Sequence, residues 1–182
     1  LSILNPSPAE DKDTVAVTSE TAQRWNLTTI GDLAEHSAEV KFGGPSEFIN
    51  RAEGLPGLKA NYGLDIPRSN FVAISDGGGP ATVRALTDGT VTAANIFSTS
   101  PAIEENDLVV LEDPKNNFLA ANVIPLVSSQ KKSDELKTVL DAVSAELTTE
   151  DLIRLNTESS GNSGINPDEA AANWVREHGF DQ

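Results

Sequence analysis

Apolar runs alternate with short turns along the first two thirds of the chain and predict a series of strands and helices. Residues 14–17 form a short apolar run, and VKF, SNFVAIS, TVTAANIF and LVVLEDP form four more. Turns rich in glycine, serine or proline follow three of these runs, and a helical pattern follows each turn. Strands that alternate with helices favour an α/β domain with a mainly parallel sheet.

Capping residues predict where the helices of this part begin. Ser19 can cap a helix that reaches Trp25, and Thr29 with Asp32 three residues later forms a capping box. Ser46 can cap the segment SEFINRAEG, with Gly54 as its stop. GLKANYGL continues the helical pattern, and SNFVAIS predicts a buried strand.

The last third of the chain is predicted to be mostly helical. Thr148 can cap TEDLIRLN, and Asn166 with Pro167 opens a helix that stops at Gly179. ESSGNSG is predicted to be a loop, and the proline-marked NNFLAANVIPLV is predicted to be a domain crossing. One helix face carries five apolar residues at helical spacing: Leu136, Val139, Leu140, Val143 and Leu147.

Charge and composition exclude several classes of function. The chain of 182 residues has 28 acidic and 13 basic side chains, a formal charge of −15, which repels nucleic acid and anionic membrane surfaces. It has no cysteine and therefore no thiolate ligand or nucleophile. His36 and His178 have no partner at metal-ligand spacing, so no metal is expected. No apolar run is long enough to cross a bilayer.

Three turns supply the residues that suit a ligand site. Residues 43–47, 76–80 and 97–100 follow predicted strands, where helix N-termini present free N–H groups in α/β sheets. Their glycines, hydroxyls and carboxylates suit a small polar solute. Gly, Ser and Pro are also ordinary turn and cap residues, so a purely structural role is the alternative for each turn. The candidate ligand-binding residues in the first two turns are Gly44, which leaves the backbone accessible, and the polar residues Ser46, Glu47 and Asp76.

No catalytic residue or cofactor is predicted. The GGGPAT turn lacks the third glycine of a dinucleotide fingerprint and has no Gly-Lys-Ser/Thr element. Ser163, the serine closest to a nucleophile-elbow pattern, lies in a polar loop with no matching histidine. Nucleophilic catalysis therefore has little support.

Taken together, several segments resemble the solute-binding subunits of ABC importers for glycine betaine, choline and related osmoprotectants. The similarity covers nearly the whole chain, and the order and spacing of the motifs make it specific. The segments are PSPAEDKDTVAV, GGPSEFINRAEGLPGLKANYGL, NIFSTSPAIEENDLVVLEDPKNNF and NVIPLV with LDAVSAELTTEDLIRLN.

The resemblance implies the two-lobed α/β fold of type II periplasmic binding proteins, in which hinge closure traps ligand between the lobes. On this interpretation residues 1–8 are the first hinge strand and residues 9–109 are one complete three-layer lobe. Residues 110–122 are the returning hinge, and residues 123–182 are the helical C-terminal part of the other lobe. The opening half of that other lobe is expected to lie outside this sequence.

The resemblance also implies a ligand site that uses an aromatic ring. Such proteins hold quaternary ammonium groups by cation–π attraction, and Phe97 in NIFSTS is the aromatic residue expected beside the ligand. Two further positions where cage aromatics are expected hold Leu55 and Val83. The expected hydrogen-bond partners are Ser98, Thr99, Ser46 and Glu47. Arg51 is expected either to bind a carboxylate of the ligand or to form an ion pair within its lobe.

The implied function is capture of a small compatible solute and its delivery to a membrane permease and its ATPase. The protein is then an exported one, periplasmic or lipid-anchored, and not an enzyme. Three alternatives stay open: an effector-sensing domain of a transcription regulator with the same fold, a binding protein for a non-quaternary polar solute, and an enzyme that uses Ser98 or Thr99.

Overall fold

The structure is a computed structural model that describes residues 1–160 and 164–180. It divides into two compact units. One unit consists of Leu1–Asp11 together with the residues from Ala120 onward, and the other consists of Lys12–Leu119. Ser163, considered above as a nucleophile, lies outside the described residues.

The described residues contain nine strands and eight α-helices. The strands are β1 Ser2–Ile3, β2 Glu10–Asp11, β3 Asp13–Thr18, β4 Phe42–Gly44, β5 Phe71–Ala73, β6 Ala93–Phe97, β7 Leu108–Val110, β8 Ala121–Asn122 and β9 Leu126–Val127. The helices are α1 Ser19–Trp25, α2 Ile30–Ala34, α3 Leu55–Tyr62, α4 Pro80–Thr87, α5 Ala102–Glu105, α6 Asp134–Glu146, α7 Thr149–Ser160 and α8 Pro167–Glu177. Two short 3₁₀ helices lie at Ser46–Ile49 and Arg68–Asn70.

The unit of Lys12–Leu119 is built on one five-stranded sheet with the order β5-β4-β6-β3-β7. β4 pairs parallel with β5 and β6, whereas β3 pairs antiparallel with both β6 and β7. The predicted strands are confirmed, but the prediction of a mainly parallel sheet missed the inverted β3. Strand and helix alternation cannot show this inversion, because the direction of a strand depends on pairing across the sheet.

Apolar residues cover both faces of this sheet and give the unit three layers. Val15 and Val17 of β3 pack with Leu33 and Leu58 from α2 and α3 on one face. Ala16, which points to the other face, packs in a cluster that contains Leu86 of α4. The period-two alternation along β3 therefore divides the core between two helical layers.

The structure corrects three local predictions in this unit. Thr18, not Ser19, caps α1, because its side chain accepts from the backbone N–H of Thr21. Ser46 does not cap an α-helix: the segment forms a 3₁₀ turn with Pro45 at its N-cap position and no side-chain cap. The strand β5 is partly exposed, because it lies at the edge of the sheet. The capping box of Thr29 and Asp32 is confirmed.

The other unit contains two small ladders and three helices. β1 pairs antiparallel with β9, and β2 pairs antiparallel with β8. The helix prediction for the last third is confirmed, although α7 continues to Ser160 and so takes up the start of the predicted loop. Val139 on the predicted apolar face of α6 is 53% exposed. Among the described residues of this unit, the buried apolar side chains are Leu4, Ala9, Ala170 and Trp174.

Candidate functional site

An open pocket of about 220 Å³ lies at one edge of the five-stranded sheet. The segments that follow β4 and β5 and the last residue of β6 line it, and so does the first residue of β3, which runs in the opposite direction. This is the edge at which α/β sheets bind ligands. We call it the strand-end pocket, and its lining residues are Asp13, Pro45, Glu47, Arg51, Ser75, Gly77, Asn95 and Phe97.

Phe97 is the aromatic wall of the strand-end pocket. It is the last residue of β6, opposite Asp13 in the antiparallel pairing with β3. Its neighbour Ile96 is fully buried on the other face of the sheet, whereas Phe97 is 40% exposed. A large apolar side chain left open at a pocket is available to a ligand, because burying it releases water.

Asp13 links two other polar groups of the pocket. Arg51 Nη2 donates to Asp13 Oδ2 at 2.5 Å, and Asn95 Nδ2 donates to Asp13 Oδ1 at 3.0 Å. The guanidinium of Arg51 also lies 5.1 Å from the ring centroid of Phe48, which is fully buried. The structure therefore places Arg51 in an ion pair within its own unit, one of the two roles predicted for it.

Glu47 brings a second carboxylate to the pocket. It lies in the 3₁₀ turn after β4 and is exposed. Ser46 Oγ donates to its Oε2 at 3.4 Å, and Ser46 itself does not line the pocket. The carboxylate of Glu47 is thus a hydrogen-bond acceptor and a negative charge beside Phe97.

Asp76 serves the helix α4 rather than the pocket. Its carboxylate accepts from the backbone N–H of Ala81 at 2.6 Å and of Thr82 at 3.1 Å, and from the hydroxyl of Thr82 at 2.6 Å. Burial acts to raise the pKa of Asp76, but these bonds and one from Gly79 outweigh it and lower that pKa. The N-terminus of α4 is therefore already occupied by an anion of the chain itself.

The remaining predicted residues lie near the pocket edge without lining it. Ser98 Oγ accepts from the backbone N–H of Lys12 at 3.1 Å, and its own N–H donates to the carbonyl of Lys12 at 2.9 Å. Thr99 is buried. Gly44 ends β4, and its carbonyl accepts from the N–H of Ile74 at 2.9 Å.

Leu55 and Val83, which occupy the positions expected for further aromatic residues, lie in the two apolar clusters. Leu55 is in the cluster on one face of the sheet and Val83 is in the cluster on the other, each 8% exposed. Neither lines the strand-end pocket. Phe97 is therefore the aromatic residue that this unit contributes there.

Sequence reasoning missed Asp13, Asn95 and Ser75. Asn95 carries a usable signal, because it is a polar residue inside the buried strand AANIF and shares the face of Phe97 two residues later. Asp13 carries no such signal, because an acidic residue at the start of a strand is common on a protein surface. Only the antiparallel pairing of β3 with β6 brings it opposite Phe97.

Residues 1–160 and 164–180 contain neither a cluster of metal ligands nor a membrane-spanning helix. No group of three or more His, Asp and Glu side chains there is arranged to hold a metal ion. No helix in this part of the chain is long and apolar enough to cross a membrane.

The fold is that of a type II periplasmic binding protein. A solved structure described as a glycine betaine/carnitine/choline ABC transporter matches 97% of this chain with a TM-score of 0.73 and 27% identity, and the match covers 64% of that structure. The match confirms the predicted fold class, a three-layer α/β lobe with a further, mostly helical part.

The amino-acid sequence identifies the family. Residues 1–177 match the substrate-binding domain of ABC-type glycine betaine transport systems, and the chain belongs to that family. The glycine betaine-binding protein YehZ of Escherichia coli (strain K12) is 27% identical over 97% of this chain and 60% of its own length. The carnitine transport binding protein OpuCC of Listeria monocytogenes is 25% identical over 80% of this chain and 46% of its own length. This chain thus spans between 46% and 60% of the length of these two relatives.

Proposed function

We propose that this chain is part of the solute-binding subunit of an ABC importer that captures a small compatible solute with a quaternary ammonium group. The observation that carries the proposal is the strand-end pocket, where an exposed aromatic ring and a carboxylate, Phe97 and Glu47, line the same space. A ring face and a carboxylate both attract a cation. The named ligands of the relatives, glycine betaine and carnitine, are both quaternary ammonium compounds.

The site residues have different roles in this proposal. Phe97 contacts the methylated cation, Glu47 supplies negative charge, and Arg51 shapes the pocket through its pairing with Asp13. The remaining predicted residues support the turns around the pocket: Gly44, Ser46, Asp76, Ser98 and Thr99. No chemistry on the ligand is part of the proposal, because the role of a binding subunit ends with release of the unchanged solute.

The partners and the location follow from the family. A solute-binding subunit delivers its ligand to a permease driven by an ATPase, so we propose an extracytoplasmic protein, periplasmic or lipid-anchored. We further propose that residues 9–109 form the ligand-binding lobe and that residues 1–8 and 110–122 act as hinge segments. Leu111 and Phe118 pack in the core of the unit of Lys12–Leu119, which supports a hinge whose bending point is at the C-terminal end of the second segment.

Isothermal titration calorimetry on the complete gene product tests this function. Glycine betaine, choline, carnitine, proline betaine and ectoine form the panel, and we expect at least one quaternary ammonium compound to bind with submillimolar affinity. Binding of an unrelated solute class, with none of these compounds bound, would show that the substrate assignment is wrong. Arginine and glutamate serve as controls, because neither carries a methylated cation.

A further inference from the structure

The buried amide of Asn95 is a polar group whose hydrogen bonds are incomplete. Asn95 lies in the middle of β6 and is 2% exposed, whereas its strand neighbours Ala93, Ala94 and Ile96 are apolar and fully buried. It also lines the strand-end pocket. A polar side chain in such a strand destabilises the fold unless its groups are hydrogen-bonded.

The neighbours of Asn95 fix the orientation of its amide. Nδ2 donates to Asp13 Oδ1 at 3.0 Å and to the carbonyl oxygen of Thr14 at 3.2 Å. A carbonyl oxygen only accepts, and so does the Asp13 carboxylate, which is paired with the guanidinium of Arg51. A flipped amide would set Oδ1 against two acceptors. Both N–H groups of Nδ2 are therefore hydrogen-bonded, and Oδ1 is the atom of the amide that can still accept a hydrogen bond.

No residue in the described part of the chain donates a hydrogen bond to Asn95 Oδ1. The nearby hydroxyl of Thr14 donates instead to the carbonyl of Ile96 at 2.6 Å. The fully enclosed side-chain atoms without a partner, among the described residues, are Arg51 Nε and Trp174 Nε1. Oδ1 is not one of them, so it is open to the pocket that Asn95 lines.

The other charges of the pocket favour the same kind of ligand group. Asp13 and Glu47 contribute two carboxylates, and Arg51 contributes one guanidinium whose Nη2 is held by Asp13. The pocket therefore has an excess of negative charge and of hydrogen-bond acceptors. Such a surface attracts a cation that also carries a hydrogen-bond donor.

We propose that the strand-end pocket selects a quaternary ammonium compound that carries a hydroxyl group, and that this hydroxyl donates to Asn95 Oδ1. The proposal rests on the proposed function and narrows its substrate class. Choline and carnitine have such a donor. Glycine betaine has none, because its nitrogen is fully methylated and its carboxylate only accepts.

Matched ligands test this selection on the unaltered, complete gene product. Choline and carnitine are each compared by calorimetry with their O-methyl ethers, which keep the charge and lose the donor. We expect a hydroxyl compound to bind at least about tenfold more tightly than its ether, because the bound ether shields Asn95 Oδ1 from water without donating to it. Equal affinities within each pair overturn the selection while the transport role stands. If none of the four compounds binds, this proposal fails, whereas the proposed function still stands if glycine betaine or proline betaine binds.

A substitution then assigns the effect to Asn95. In Asn95→Leu we expect the affinity for the hydroxyl compound to fall to that of the ether, while the affinity for the ether changes less than about twofold. A purely structural role predicts an equal loss for both ligands, and that result overturns the assignment. Asn106→Leu removes an amide in an exposed turn and is the matched control. If Asn95→Leu does not fold, the ligand pairs on the unaltered protein still decide the proposal.

Discussion

Arg51 and Asp13, which lie 38 residues apart in the chain, form an ion pair beside the strand-end pocket. The pair joins the turn after the 3₁₀ helix to the first residue of the central sheet. The side chain of Asp13 is 17% exposed and that of Arg51 is 35% exposed, so water screens the pair only partly. The same carboxylate orients Asn95, so one ion pair determines which polar atom the pocket presents.

Arg51→Met is expected to lower the free energy of unfolding by about 1–3 kcal/mol, because it leaves a half-buried carboxylate without its cation. Urea denaturation followed by circular dichroism measures the change. The control is Lys59→Met, whose ion pair with Asp65 is about 60% exposed on both sides and should contribute less than about 1 kcal/mol. Equal losses in the two variants would show that the Arg51 pair has no special role in stability.

Phe97→Ala is expected to weaken binding of a quaternary ammonium ligand by about 1–2 kcal/mol, because the exposed ring supplies cation–π attraction and apolar contact. Phe97→Tyr keeps the ring and should keep most of the affinity. Titration calorimetry on the complete gene product measures both. Val139→Ala removes a residue that is 53% exposed and lies outside both the pocket and the proposed hinge segments, so it serves as the control. Unchanged affinity in Phe97→Ala would remove Phe97 from the ligand site.

Local patterns in the sequence were sufficient to predict most elements of the unit of Lys12–Leu119. The apolar run predicts the strand β3, and the capping box of Thr29 and Asp32 predicts the start of α2. These signals work because they depend on residues within one turn or one strand. The direction of β3 in the sheet depends instead on partners about 80 residues away, and no local signal carries it.

The sequence predicted the turns that contribute to the candidate site but not the strand residues Asp13 and Asn95, which also line it. Phe97 and Glu47 lie in predicted loops and do line the pocket. Asp76 also lies in a predicted loop, but its carboxylate accepts from the N-terminus of α4, and Gly77 and Gly78 between them have positive φ. Asp13 and Asn95 reach the pocket through pairing across the sheet, so chain order alone does not bring them together.

Asp76→Ala is expected to lower the free energy of unfolding by about 1–2 kcal/mol at neutral pH, because it removes the cap of α4. The lowered pKa of Asp76 means that the folded state favours the carboxylate. Its stabilising effect is therefore complete above the ordinary Asp pKa of about 3.9 and is lost as the pH falls through the lower folded value.

Urea denaturation at neutral pH and near pH 2–3 measures this dependence. The difference between Asp76→Ala and the unaltered protein should shrink at the lower pH. Asp88→Ala is measured in the same way as a comparison. Asp88 also has a lowered pKa, but its carboxylate accepts from the backbone N–H of Thr90 in an exposed turn after α4. A difference that stays constant with pH would contradict a role for the ionised carboxylate of Asp76.

Tyr62 is expected to ionise about two pH units above an ordinary tyrosine, because burial and its hydrogen bond to Asp113 raise its pKa to about 12. The backbone N–H of Lys115 donates to the same hydroxyl and acts in the opposite direction. Because the raised pKa favours the neutral phenol in the folded state, its contribution to stability is complete below about pH 10 and is lost as the pH rises toward 12. Tyr62 is the single tyrosine of the sequence, so the ultraviolet absorbance of tyrosinate reports on it alone. Asp113→Asn should lower the midpoint only in part, because burial, the largest cause of the raised pKa, remains. A midpoint near the ordinary tyrosine value of about 10 in the unaltered, folded protein would contradict the prediction.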